Sequence, residues 1–422
     1  MNYYLELKDY HAIKEANLKL DGITVLAGEN GCGKSTIARW FYYLVNATCG
    51  FKAFKNSGAF DKARDILNDW VQTIDRIDRN SDDELKVSMA KLLTDFYNSD
   101  NLSTDSKFRS SFNCLVGDFK KYFRENSDDN SKRIAQYLLD KDPDINDVDL
   151  YFSKVEKDFF SSNGFQNYIS DLASVISKEY KEDDKFPEKI TLREDNVMIV
   201  GPEKFESPLS LTSAIYVDTP MAVTETDSEN YFWKKLVELM RRKGEGISAP
   251  AKIILSRIKS LLGGDVDYMN DAFISDFVFH RNDGLDLSLS KVATGFKSFA
   301  YLYRLVANGH INKRTLLLID EPEAHLHPQW IVEYARVLVM INKNLGAKII
   351  IASHNPDMVS AIQSISKKQG VIDTTNFYLA ERDEDSLQYV FKDLGHEIDE
   401  IFGSFNIALD RIRLYGQDHS EE

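Results

Sequence analysis

Three features of the sequence predict an α/β fold with a parallel core sheet, an antiparallel strand lobe and a helical insertion. First, an apolar, β-branched run, GITVLAG at 22–28, ends in a glycine-rich loop and passes directly into the helical pattern STIARWFYYLV. Second, residues 295–360 alternate helix, strand, helix, strand, the pattern of a parallel sheet with crossover helices. Third, residues 51–190 change texture, with only three glycines (Gly58, Gly117, Gly164) and two prolines (Pro143, Pro187), and with apolar residues at three- and four-residue spacing.

Taken in order, LELKDY and EANLKL read as two short strands around a turn, leading to the GITVLAG strand and its helix. In the insertion, ARDILNDWVQTI and KRIAQYLL are amphipathic, and polar clusters such as NSDD and SDNLSTDS separate such stretches. A bundle of five or six helices follows. No heptad pattern continues for more than a few turns, which argues against a long coiled-coil arm. After Pro187, KITLRED, NVMIV and SAIYVD read as antiparallel strands. Residues 230–262 are helical and locally basic. DFVFHRNDGLDLSLS reads as a hairpin turning at Asn282-Asp283-Gly284. The predicted division is 1–44 and 189–400 for one discontinuous domain, 45–188 for the insertion, and 401–422 for a tail whose acidic DHSEE end frays.

Composition bounds the function. In 422 residues, 52 Lys and Arg face 67 Asp and Glu, a net charge of −15, which excludes a protein that coats nucleic acid through its overall charge. A local basic surface is not excluded: eight cationic residues against two acidic ones lie in 234–259, either a phosphate-contacting stripe or a solvated face. Three cysteines (Cys32, Cys49, Cys114) cannot build a disulfide framework, so a reducing compartment, the cytoplasm, is expected. No secretory leader is visible, and the longest apolar runs are too short to span a bilayer, so no membrane partner is expected.

The chemistry concentrates in three places. GENGCGKST at 28–36 fits G-x-x-x-x-G-K-[ST], with Gly28, Gly33, Lys34 and Ser35 in the fixed positions. Its glycines let the backbone wrap tightly, so that N–H groups of Asn30, Gly31, Cys32, Gly33, Lys34, Ser35 and Thr36 surround a phosphate at a helix N-terminus. Lys34 is placed to reach the β- and γ-phosphates of ATP, and the Ser35 hydroxyl to ligate Mg²⁺. Downstream, the strand TLLLI ends in Asp320-Glu321, at the end of a parallel sheet where ligands bind. Asp320 is the candidate for holding Mg²⁺ and Glu321 for polarising the attacking water. The next strand, AKIIIAS, ends in Ser353-His354, and His354 is the candidate sensor of the γ-phosphate.

P-loop, then DEPEAHLHP, then SHNP: in these motifs and their order the chain resembles the ABC-type P-loop ATPases, and within them the soluble SMC/RecF/OLD branch. The resemblance covers 1–44 and roughly 190–400. It implies an ABC-type ATPase head with the P-loop and DE strands as neighbours. It also implies a signature helix, matched here by KVATGFKSFAYLYRL at 291–305. Gly295 falls on the family's second glycine, while Ala293, Thr294 and Phe296 replace its serine, first glycine and glutamine. Gly295 and Lys297 would meet ATP held by the P-loop of a second copy, so a nucleotide-sandwich homodimer is implied, with slow or regulated hydrolysis. Asp218, Thr219 and Pro220 are candidates for the Q-loop, Tyr10 and His11 for stacking on adenine. Glu323, His325 and His327 fall in the D-loop, which contacts the dimer partner. About 65 residues follow SHNP, too few for the nuclease domain of OLD proteins. A freestanding ATPase with a helical insertion resembles the ATPase subunits of the phage-defence systems Septu, retron-associated Septu and PARIS. This implies a switch that regulates a separate effector, a nuclease or toxin. The alternative is a RecF-like, ATP-dependent DNA-binding repair protein, which leaves nucleic acid open as a partner.

Overall fold

The computed structural model describes residues 1–50, 70, 116–118, 120–121, 123–125, 129–140, 145–160, 169–180, 185–218, 231–242, 246–270, 275–403 and 415. The chain divides into two compact units, one formed by Met1–Cys49 and Asn167–Glu422, the other by Gly50–Gln166. In the second unit the described elements are helices, with α2 at Asp129–Asp140 and α3 at Val148–Phe160. There Trp70 and Phe152 are buried with their rings 5.1 Å apart. The expected number of insertion helices and the DHSEE end lie outside the described residues.

The first unit is organised by a ten-stranded mixed sheet. Its strands are β1 (Tyr3–Tyr10), β2 (Ile13–Leu20), β3 (Ile23–Ala27), β4 (Lys189–Glu194), β5 (Val197–Val200), β6 (Ser213–Val217), β10 (Thr315–Asp320), β11 (Lys348–Ser353), β12 (Thr375–Arg382) and β13 (Tyr389–Gly395). They lie in the order β5-β4-β1-β2-β13-β12-β3-β11-β10-β6. From β12 to β6 every pairing is parallel. β3 and β10 are buried along their whole length, because helices cover both faces of a parallel sheet and the strands are apolar throughout. By contrast β1, β2, β4 and β5 pair antiparallel, and β1 alternates between buried and half-exposed residues.

Two sequence expectations are corrected here. SAIYVD was expected to be antiparallel, yet β6 runs parallel to β10 at the sheet edge, because its four buried residues suit a doubly covered position. The P-loop strand β3 and the DE strand β10 are not neighbours: β11, the strand of Ser353, lies between them. All three motifs therefore still share the carboxyl end of one parallel layer.

A smaller sheet, β7 (Gly264–Asn270), β8 (Ser275–Arg281) and β9 (Asp286–Ser288), contains the expected hairpin, with Gly284 at φ 89° in its turn. The helices of this unit are α1 (34–50), α4 (Ile169–Tyr180), α5 (Tyr231–Arg241), α6 (Ala249–Leu262), α7 (Thr294–Ala307), α8 (Pro328–Leu345) and α9 (Pro356–Gln369). Residues of α5–α9 form one core with β3, β6, β10 and β11. The sequence sets several of their boundaries. Asn355 accepts from the amides of Asp357 and Met358 at 2.8 and 3.2 Å, Pro356 follows it, and Gly370 closes α9 in the left-handed region at φ 69°. No helix among the described residues is long and apolar enough to cross a membrane.

The C-terminal carbonyls of α5 are satisfied from α7. Arg304, buried, donates to Met240 O at 3.1 Å, to Val266 O at 3.3 Å and to Asp267 Oδ1 at 2.7 Å, while Asn308 donates to Met240 O at 2.7 Å. Removing the guanidinium leaves the buried Met240 O with Asn308 alone and takes a buried donor from Val266 O, while the exposed Asp267 carboxylate returns to water. Arg304→Ala is therefore expected to cost about 2–3 kcal/mol, read as a lower urea midpoint. Arg304→Lys should recover only part of that, because one ammonium cannot reproduce the planar fork.

Candidate nucleotide site

The loop between β3 and α1 is shaped by glycines. Gly28 and Gly33 have φ of 151° and 98°, and a Cβ at Gly33 would lie 2.6 Å from Ile13 Cγ1. Glu29, Asn30 and Gly31 are exposed, and the Ile37 amide bonds Gly33 O at 3.0 Å to start the helix. The Lys34 ammonium lies across the loop, donating to Gly28 O at 2.9 Å and Glu29 O at 2.7 Å, with Cys32 Sγ at 3.6 Å. All three of its protons are thus held by loop acceptors that a phosphate can replace. Cys32 is fully buried beneath the loop, where its small side chain fills space.

At the end of β10, Asp320 is only 7% exposed. Its Oδ2 accepts from Tyr216 OH at 2.8 Å, and its Oδ1 is buried with no hydrogen-bond partner. Burial raises its pKa above the ordinary carboxylate value; Ser35 and Tyr216 oppose the rise through hydrogen bonds, and the charges of Asp218 and Glu321 add to it. An orphaned carboxylate oxygen near the Ser35 hydroxyl is a donor set of hard oxygens that suits Mg²⁺. Among the described residues no group of three or more His, Cys, Asp or Glu side chains is placed to hold a metal by itself.

Glu321 follows with φ 47°, a left-handed conformation uncommon for a residue with a Cβ, and its amide bonds Ala352 O at 2.9 Å. The tie holds the DE turn against β11, and the Glu321 side chain is 40% exposed at the open end. His354 stands beside it, with Nδ1 3.7 Å from Glu321 Oε1. The residue that fixes His354 is Glu323. Its Oε1 accepts from Ser353 Oγ at 2.8 Å and from the His354 amide at 2.9 Å, and lies 3.3 Å from His354 Nδ1. Glu323 is 6% exposed, and burial pushes its pKa up. This corrects the expectation that Glu323 faces a dimer partner: it turns inward and organises the SHNP strand end. His327 is taken up as the N-cap of α8.

The signature stretch begins α7. Ala293 caps it without a side-chain hydrogen bond; the Phe296 amide bonds Ala293 O at 2.9 Å, and only Thr294 and Gly295 leave first-turn N–H groups without a partner inside the helix. Gly295 abuts the loop after the DE pair, since a Cβ there would lie 3.1 Å from Leu326 Cδ2 and 3.2 Å from His325 O. Lys297 is buried and makes no ion pair among the described residues. Of the adenine candidates, Tyr10 packs edge-on against Trp40, and His11 is the exposed one. Asp218 follows β6 and its charge acts on Asp320; Thr219 and Pro220 lie outside the described residues. In the basic stretch, Lys235, Arg257 and Lys259 pair with Glu238, Glu333 and Asp265, and Arg241 stacks 5.2 Å from the Tyr268 ring centre. These cations are engaged within their own lobe. Sequence reasoning missed Tyr216 and the role of Glu323. The only signals were a phenol in an otherwise apolar strand and a third carboxylate two residues after Glu321.

The family model of the AAA ATPase domain matches residues 3–359. The chain belongs to the AAA ATPase domain family. It carries an ATPase domain over those residues. It is similar to the endonuclease GajA of Bacillus cereus (strain HuB5-5), at 21% identity over 93% of this chain and 63% of that protein. It is similar also to the Septu protein PtuA of Bacillus thuringiensis, at 33% identity over 20% of this chain and 24% of that protein. The chain thus spans less than two-thirds of the length of these curated relatives. Among solved structures, the SMC head domain from Thermotoga maritima matches with a TM-score of 0.38 at 10% identity, covering 93% of this chain and 98% of that one.

The raised pKa of Asp320 has a testable consequence for the metal-free protein. A carboxyl whose folded pKa lies above its unfolded value stabilises the fold below the unfolded pKa, and that stability is lost as pH rises through the folded value. Asn stays neutral throughout. In EDTA, Asp320→Asn is expected to melt above wild type at neutral pH, and the gap to close toward pH of about 4, as followed by thermal denaturation at several pH values.

Proposed function

We propose that this ATPase binds Mg·ATP between the P-loop of one copy and the α7 N-terminus of a second, and that its nucleotide state regulates a separate effector, a nuclease or toxin, in bacterial anti-phage defence. The observation that carries the Mg·ATP reading is the buried Asp320 with its unbonded Oδ1, set beside Ser35 and next to the exposed Glu321.

Each residue has a defined part. Lys34 exchanges loop carbonyls for phosphate oxygens, a stronger charge-assisted bond. The α1 N-terminus and loop amides hold the remaining phosphate oxygens. Ser35 and Asp320 would hold Mg²⁺, which would supply positive charge against the phosphate oxygens. Glu321 accepts a hydrogen bond from the attacking water and orients it. His354, fixed by Glu323 and Ser353, donates toward the γ-phosphate. The first turn of α7 supports the sandwich, because the Thr294 and Gly295 N–H groups have no acceptor within the helix and attract one from outside it. Similarity to the Septu protein PtuA supports the defence role.

Two variants test this. Lys34→Ala should abolish binding of a fluorescent ATP analogue. Glu321→Gln should keep ATP bound, slow hydrolysis at least about a hundredfold, and accumulate as a dimer on light scattering with ATP. An unchanged hydrolysis rate in Glu321→Gln would remove its catalytic assignment, and a monomer under ATP would remove the sandwich. The effector role is read by whether a co-purified nuclease changes activity with nucleotide.

A further inference from the structure

The Mg·ATP reading accounts for Ser35, Asp320 and Glu321 but leaves a buried polar side chain unused. Tyr216 is 2% exposed on β6, in a strand that otherwise carries only apolar residues after Ser213. A buried phenol needs a partner for its hydroxyl, and this one donates to Asp320 Oδ2 at 2.8 Å. The ring cannot swing away. It packs 4.5 Å from Phe232 on α5 and 6.1 Å from Tyr42 on α1, centre to centre. Its backbone is fixed by parallel pairing with β10, Tyr216 opposite Leu318. Arg39, one helical turn beyond Ser35, lies beside Tyr216 and over the Phe232 ring at 5.7 Å. A guanidinium can only donate, so its presence next to the phenol oxygen leaves the phenol proton for the carboxylate.

The consequence falls on the other oxygen of Asp320. A carboxylate free at both oxygens rotates about its terminal torsion; one with Oδ2 pinned presents Oδ1 in a single direction. That oxygen is the buried, unbonded one. We infer that Tyr216 is a positioning residue for the metal carboxylate, holding Asp320 by Oδ2 so that Oδ1 is left aimed at the ion. The inference rests on the Mg·ATP reading and deepens it. Partners that orient a ligating carboxylate typically contribute about ten- to hundredfold in metal affinity.

Tyr216→Phe removes the hydroxyl and keeps the ring in its packing. Binding of a fluorescent ATP analogue would be measured in EDTA and across a Mg²⁺ titration. Mn²⁺ affinity of the nucleotide-bound protein would be measured by electron paramagnetic resonance. The expected result is unchanged affinity in EDTA, with the half-saturating Mg²⁺ and Mn²⁺ concentrations raised about ten- to hundredfold. Equal metal responses in wild type and variant would overturn the inference and leave the Mg·ATP reading standing. Loss of nucleotide binding in EDTA as well would assign the hydroxyl to the fold and also overturn it. A wild type indifferent to both metals would overturn the underlying reading and this inference with it.

Discussion

The site depends on a carboxylate kept out of water. Asp320 ends a strand whose every residue is buried, and it is itself nearly covered. Desolvation alone drives such a group toward its neutral form, which is useless for holding a cation. Tyr216 and Ser35 oppose that drift with hydrogen bonds that favour the charged form. The balance is unfinished in the protein alone, since Oδ1 has no bonding partner. In the proposed Mg·ATP complex an ion would complete it, and the same geometry that weakens the free fold would then supply affinity.

A second buried carboxylate is arranged in the opposite way. Glu323 has one oxygen bonded by Ser353 and the His354 amide, with the His354 ring alongside. It serves orientation, and what it orients sits at the exposed end of β11 beside Glu321. The left-handed Glu321 residue is part of the same economy of position. It carries local strain, is tied back to Ala352, and thereby turns its side chain out toward solvent where water is available.

How much of this was legible beforehand differs by type of signal. The P-loop is written in glycines whose spacing only one backbone path satisfies, and the strands β3, β10 and β11 are apolar runs of unmistakable length. Helix starts at Asn355-Pro356 and His327-Pro328 follow local capping chemistry. Strand order did not follow, because nothing local to β3 or β10 encodes that β11 separates them. Nor did the direction of β6, whose short apolar run fits either sense until its neighbour is known. Tyr216 and Glu323 were hidden for the same reason: each acts on a residue 104 or about 30 positions away, and a contact of that span leaves no periodicity to read.

The attachment of the second unit has its own consequence. Helix α1, which leads into it, and α4, which returns from it, are joined by Tyr42 and Tyr43 against Tyr180, with rings 5.9 and 5.1 Å apart. Both also bond to one short stretch of the first unit: Ser207 Oγ donates to Thr48 O at 2.8 Å, and the Ile169 amide to Glu203 O at 2.9 Å. The two ends of the excursion are therefore brought together by the ATPase core itself. The entropy of closing such a loop grows only with the logarithm of its length, each doubling adding about 0.6 kcal/mol. By that measure, a change in the length of chain between residues 50 and 166 would add little to the cost of bringing its two ends together.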